Sequence, residues 1–93
     1  MEERREDRQP VRRQVTVRRR HGRECSADVS DFSATGCQLK VDGGFEVGEF
    51  VVIEVHDVAA TRGWIAWSRP GRVGVDFAEA LDENVIVAVR KRD

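Results

Sequence analysis

The sequence predicts an all-β fold, a small antiparallel barrel or sandwich with a short helix at its C-terminal end. Three observations predict it. Short runs of alternating apolar and polar residues recur about every ten residues, glycine-bearing turns separate them, and only the C-terminal stretch changes to helical spacing. Ninety-three residues can bury one core but not two.

Residues 1–12 show no apolar periodicity and are interrupted by Pro10, so they read as a flexible arm, leaving 13–93 as the domain proper. In residues 13–20, Val15 and Val17 alternate with Thr16 and Arg18, the pattern of a strand. His21-Gly22 is a turn signal, so a second strand over 24–30 is expected to pair with the first, with Cys25, Ala27 and Val29 on one face. Residues 31–36 read as a turn in which Gly36 supplies a positive φ. The third strand follows, with Cys37, Leu39 and Val41 alternating with Gln38 and Lys40. Turns at Asp42-Gly43-Gly44 and at Gly48 lead to a fourth strand over 50–55 and a fifth over 59–68. Pro70-Gly71 turns the chain into a sixth strand over 72–77. Trp64 and Trp67, three apart on the fifth strand, are expected on opposite faces, one in the core and one partly exposed.

The tail has the charge polarity that a helix dipole favours, Asp82 and Glu83 before its apolar stretch and Arg90-Lys91-Arg92 after it. Leu81, Val85, Ala88 and Val89 share one helical face, so a helix is expected over about 81–91, despite the β-branched run Val85-Ile86-Val87.

Composition limits the function. Hydrophobic residues at 40% and charged residues at 35% describe a soluble globular chain. The longest apolar run, residues 50–53, is far short of the roughly 18 residues that span a bilayer. The charged opening is not a secretory signal, and a cytoplasmic location is the expectation. Two cysteines and two histidines, widely spaced, do not make a metal site, and Cys25 and Cys37 read as small buried hydrophobes in a reducing compartment. His56-Asp57 reads as a turn with no nucleophile in context, so neither catalysis nor a cofactor is expected.

The net charge of −1 conceals an asymmetry: residues 1–23 carry +5 and residues 24–93 carry −6. A basic segment on an acidic body suits an anion-binding arm. Arginine outnumbers lysine fourteen to two, and arginine's planar fork suits bidentate contact with phosphate or a guanine edge.

Two short stretches give that charge a chemistry. Arg4-Arg5-Glu6-Asp7-Arg8 offers guanidinium forks that can donate to O6 and N7 of guanine or grip a phosphate. Asp31-Phe32-Ser33-Ala34-Thr35-Gly36 offers a carboxylate that can accept from the N1–H and N2–H₂ donors of guanine, with a hydroxyl beside it. R-x-x-x-R at Arg4/Arg8 followed by D-x-S-x-x-G at Asp31/Ser33/Gly36 resembles the PilZ domain family. Gly48, the strand ending in Trp67 and Gly74-Val75-Asp76-Phe77 continue the resemblance over nearly the whole chain. Arg8 and Arg12 spell the same spacing, but Arg4/Arg8 puts the second arginine just before Pro10-Val11 at the start of the first strand, as is usual in the family. Arg12 and Arg13 are then expected to flank the ligand or face solvent.

The resemblance implies a six-stranded split β-barrel that binds cyclic di-GMP. Arg4 and Arg8 would be the clamp and Arg5 a helper, Asp31 and Ser33 would hold a guanine, and Gly36 would permit close backbone approach. A receptor of this size would order its arm on the ligand and pass the signal to an unidentified downstream protein, without membrane insertion or nucleic-acid binding. The alternatives are an interaction adaptor whose nucleotide site does not bind, and a barrel that binds single-stranded nucleic acid. The latter needs several exposed aromatics as stacking platforms, and the chain has six aromatic residues and no tyrosine.

Overall fold

In the computed structural model, which describes residues 9–20, 22, 24–41, 44–56 and 58–90, six strands close into an antiparallel barrel. The strands are β1 (Gln9–Arg19), β2 (Cys25–Phe32), β3 (Gly36–Lys40), β4 (Phe50–Val55), β5 (Ala59–Arg69) and β6 (Arg72–Phe77), and one helix, α1 (Glu83–Arg90), follows them. The order around the barrel is β1-β2-β3-β6-β5-β4, and β1 pairs with β4 to remove the last free edge. No helix among the described residues is long and apolar enough to cross a membrane.

Alternation along the strands builds the core. Val15 and Val17 of β1, Ala27 and Val29 of β2, Leu39 of β3, Val51 and Ile53 of β4, Ile65 of β5 and Val73 and Val75 of β6 all point inward and are buried. Phe32 and Phe77 meet at one end of the barrel, ring centroids 5.6 Å apart and tilted by 53°. Cys37 is buried, whereas Cys25 is half-buried against the core. Val89 plugs α1 onto the barrel, with Leu81 and Val85 packed beside it.

The boundaries differ from expectation at three places. β1 begins at Gln9, so residues 9–12 belong to the barrel rather than to an arm. Pro10 is tolerated there because it stands one residue inside the strand's start, where the missing N–H costs little. β2 runs on to Phe32 and β3 starts at Gly36, which shortens the connecting turn to residues 33–35.

Two β-bulges matter more than these ends. On β2, Val29 pairs with Leu39 but Asp31 pairs with Gln38, so Ser30 is an extra residue. Strict continuation of the Cys25, Ala27, Val29 alternation would drive the Asp31 carboxylate into the core. The bulge turns it outward and gives the inward position to Phe32. On β5, Ile65 pairs with Val75 and Trp67 with Gly74, so Ala66 is extra. Trp64 and Trp67 therefore share the outer face, contrary to the expectation from their spacing. Trp64 is exposed and stands edge-on to Phe50, and Trp67 is half-buried.

Candidate functional site

The short connection between β2 and β3 is held from every side. Ser33 donates its backbone N–H to the Gly36 carbonyl at 2.9 Å, and its hydroxyl donates to the same carbonyl and accepts from the Thr35 N–H, each at 3.3 Å. The C-terminal segment clamps the carbonyls of this turn. Phe77 N–H donates to Thr35 O, Leu81 N–H to Ala34 O, and the Arg90 guanidinium to Phe32 O at 3.0 Å. The turn is thus a preset rim. Ser33 shapes it and keeps one hydroxyl lone pair beyond those two bonds.

Gly36 has a steric duty rather than the conformational one expected of it. The positive-φ glycines among the described residues are Gly48 and Gly71. Gly36 lies opposite Asp76 of β6, and a Cβ there would collide with the Val75 carbonyl. The sheet itself requires that glycine.

A row of cross-strand partners runs from this rim across the outer wall. Pro10 pairs with Asp31, Asp31 with Gln38, Gln38 with Gly74 and Gly74 with Trp67. Directly opposed residues share a face, so a carboxylate, an amide, bare backbone and an indole lie side by side. Gln38 Nε2 approaches Asp31 Oδ2 at 3.5 Å. The Trp67 ring lies over Gly74, where any Cβ would meet its Nε1 edge. Asp31, Ser33, Gly36, Gln38, Trp67 and Gly74 line one shallow pocket of about 140 Å³. Asp76, opposite both Gly36 and Trp64, completes its upper wall.

Cys37 also lines this pocket. Burial, with the Asp31 charge adding, pushes its thiol up to about 12, and the thiol rather than the thiolate is the unreactive form. Arg13 is half-buried, and its guanidinium donates to the Ala88 and Val89 carbonyls at 3.4 and 3.2 Å, satisfying the end of α1.

Of the expected site residues, Asp31, Ser33 and Gly36 come together around this pocket, and Arg4, Arg5 and Arg8 lie outside the described residues. Gln38, Gly74 and Trp67 were not anticipated. A two-residue Pro70-Gly71 hairpin already sets Trp67 opposite Gly74, so that part of the wall could have been found by counting outward from the turn.

The scan against protein families matches the PilZ domain model over residues 2–90. The chain belongs to the PilZ domain family. A comparison with curated proteins gives no match. The PilZ family is one of cyclic di-GMP receptors, binding domains rather than enzymes. The matched span takes in Arg4, Arg5 and Arg8 as well as the 31–36 turn, so the family assignment covers both halves of the motif pair that the sequence displays.

Proposed function

We propose that this PilZ domain is a cyclic di-GMP receptor in which Arg4, Arg5 and Arg8 close over a guanine seated at Asp31, Ser33 and Gly36, and that the ordered arm passes the signal to a partner protein. The observation that carries this reading is the start of β1. Gln9 pairs with Phe32 and Pro10 with Asp31, so the chain leaves the barrel beside the acidic rim of the pocket. Covalent geometry then keeps the Arg8 Cα about 3.8 Å from that of Gln9, and the Arg4 Cα within about 18 Å of it. That tether keeps the arginines within reach of a ligand in the pocket.

The size of the pocket supports a two-part site. At about 140 Å³ it is smaller than the 300 Å³ or so at which small-molecule pockets begin. A nucleotide on this floor needs a second wall, and a cationic arm supplies one with the charge its phosphates call for. Asp31 offers carboxylate acceptors to the guanine N1–H and N2–H₂ donors, while guanidinium forks suit O6, N7 and phosphate oxygens. Trp67, at the far end of the row, lines the pocket with its indole, a polarisable edge that a base can meet.

Calorimetry with cyclic di-GMP tests the reading. Arg4→Ala and Arg8→Ala should each weaken binding by roughly 1–3 kcal/mol, the value of a lost bidentate guanine contact, with melting temperature unchanged. Unaltered affinity in both variants would refute the clamp. Tighter binding of a single-stranded oligonucleotide than of cyclic di-GMP would favour the nucleic-acid alternative instead.

A further inference from the structure

One register step below the pocket, the same outer wall carries a second row. Lys40 of β3 pairs with Arg72 of β6, and Arg72 pairs with Arg69 of β5. All three side chains are exposed. Directly opposed Cα atoms in an antiparallel sheet are about 5 Å apart, so three cations sit along about 10 Å of wall.

Such a row works against the sheet, because like charges directly opposite one another repel. Elsewhere the barrel avoids this. On the β1–β4 side, Arg18 meets Glu24 and Glu54, each at 3.4 Å, and Arg19 meets Glu49 at 2.6 Å. Along the cationic row the acidic neighbour is Asp28, opposite Lys40 on β2, and no ion pair joins the two. Among the described residues neither Lys40 nor Arg72 has a hydrogen-bonding or ion-pairing side-chain partner. Residues 24–93 carry a net −6 and contain seven basic residues, and three of those seven stand in this one row.

The row also adjoins the pocket. Lys40 and Arg72 lie two residues from Gln38 and Gly74 along their strands, about 7 Å away on the same face. The Arg69 guanidinium sits 4.8 Å from the centre of the Trp67 ring, which lines the pocket. β1 begins at Gln9, on the Phe32 and Asp31 side of the pocket, whereas this row lies below the floor and toward β5.

We infer that Lys40, Arg72 and Arg69 form an anion subsite that takes a phosphate group of the ligand whose base occupies the Asp31 pocket, on the side away from the arginine arm. The inference rests on reading that pocket as a nucleotide site. It explains why the wall keeps three opposed cations without acids between them: a dianionic ligand supplies the missing counter-charge when it docks. The contacts are solvent-exposed, so their contribution falls with added salt.

Amide chemical shifts and calorimetry on the full chain test it with two probes, inorganic pyrophosphate and cyclic di-GMP. Pyrophosphate should shift the amides of Lys40, Arg69 and Arg72, and the Lys40→Gln/Arg72→Gln variant should lose those shifts. Each single substitution should weaken cyclic di-GMP binding about fivefold, as for one exposed charge contact, more at low salt than at high. The double variant should melt no lower than the parent, because it removes a repulsion. Absence of pyrophosphate shifts at these residues overturns the subsite, as does undiminished cyclic di-GMP binding by the double variant. If pyrophosphate binds here and cyclic di-GMP does not bind the parent protein at all, the receptor reading fails while the anion subsite stands. A preference for an oligonucleotide through the same three residues overturns the assignment to a small ligand.

Discussion

Gly36 shows how a motif residue can answer to the barrel before it answers to any ligand. Its Cα faces the Val75 carbonyl so closely that a side chain has nowhere to go, and a backbone oxygen cannot swing aside as a side chain could. Gly36→Ala should therefore destabilise the fold by about 1–3 kcal/mol, the usual cost of overpacking, as read from urea denaturation. An unchanged midpoint would show that the strands separate easily. Ser33 has a similar double duty, since its hydroxyl already bridges Gly36 and Thr35. The sequence displayed D-x-S-x-x-G, but not that two of its three signature residues build the rim as well as border the pocket. For Gly36, only the pairing with β6, remote in sequence, reveals it.

Among the elements, the strands and the inward faces of β1, β2 and β3 were legible, and the faces beyond the bulges were not. Six strands emerged from alternation and glycine turns within a few residues of their observed ends, because turn chemistry is local. The bulges at Ser30 and Ala66 were invisible, since one extra residue in one strand is defined only by its partner. Both bulges set the outer wall, aiming Asp31 outward and laying Trp67 beside it. The start of β1 is hidden in the sequence because Pro10 marks a break, although it occupies an acceptable place near a strand end. α1 is anchored by Arg13 from β1, a contact spanning most of the chain. Arg13→Ala should cost about 1 kcal/mol and raise amide exchange in α1 while leaving the strands protected. Uniform exchange would show that the helix does not rely on that anchor.

The segment before β4 is fixed in another way. Arg19 grips Glu49 in a bidentate pair through the Nε and Nη2 edge of its guanidinium, at 2.6 and 2.9 Å, and lies over the Phe45 ring at 4.2 Å. The Arg19 hydrogen bond holds the Glu49 carboxyl below the ordinary carboxylate range. A carboxylate held low binds fewer protons in the native state than in the unfolded one, so its stabilisation is present above the ordinary value and fades as pH falls through the lowered one. Glu49→Gln should therefore lose up to about 1 kcal/mol at neutral pH, discounted for partial exposure, and the gap to the parent should close in acid. A gap that persists in acid would mean that packing rather than charge holds the segment.

At the scale of the whole molecule, the pairing of four neighbouring strands, β2-β3-β6-β5, is what assembles the candidate site. Residues from β2, β3, β6 and β5, scattered from Asp31 to Asp76, become one wall through antiparallel register. β1 starts beside that wall, with Gln9 opposite Phe32 and Pro10 opposite Asp31. The charge asymmetry of the sequence pointed to the arm, and the motif pair to the ligand. What the sequence did not contain in readable form was the neighbourhood across β2, β3 and β6: Gln38 beside Asp31, Gly74 beside Gln38, and Lys40 beside Arg72.

An amide and indole chemical-shift titration with cyclic di-GMP tests the central claim most directly, because it reports the arm and the wall together. The account predicts changes concentrated in residues 1–12, in residues 31–36 and at the Trp67 indole N–H, all saturating at one ligand concentration. Changes confined to other faces of the barrel, or none as ligand is added, would contradict it.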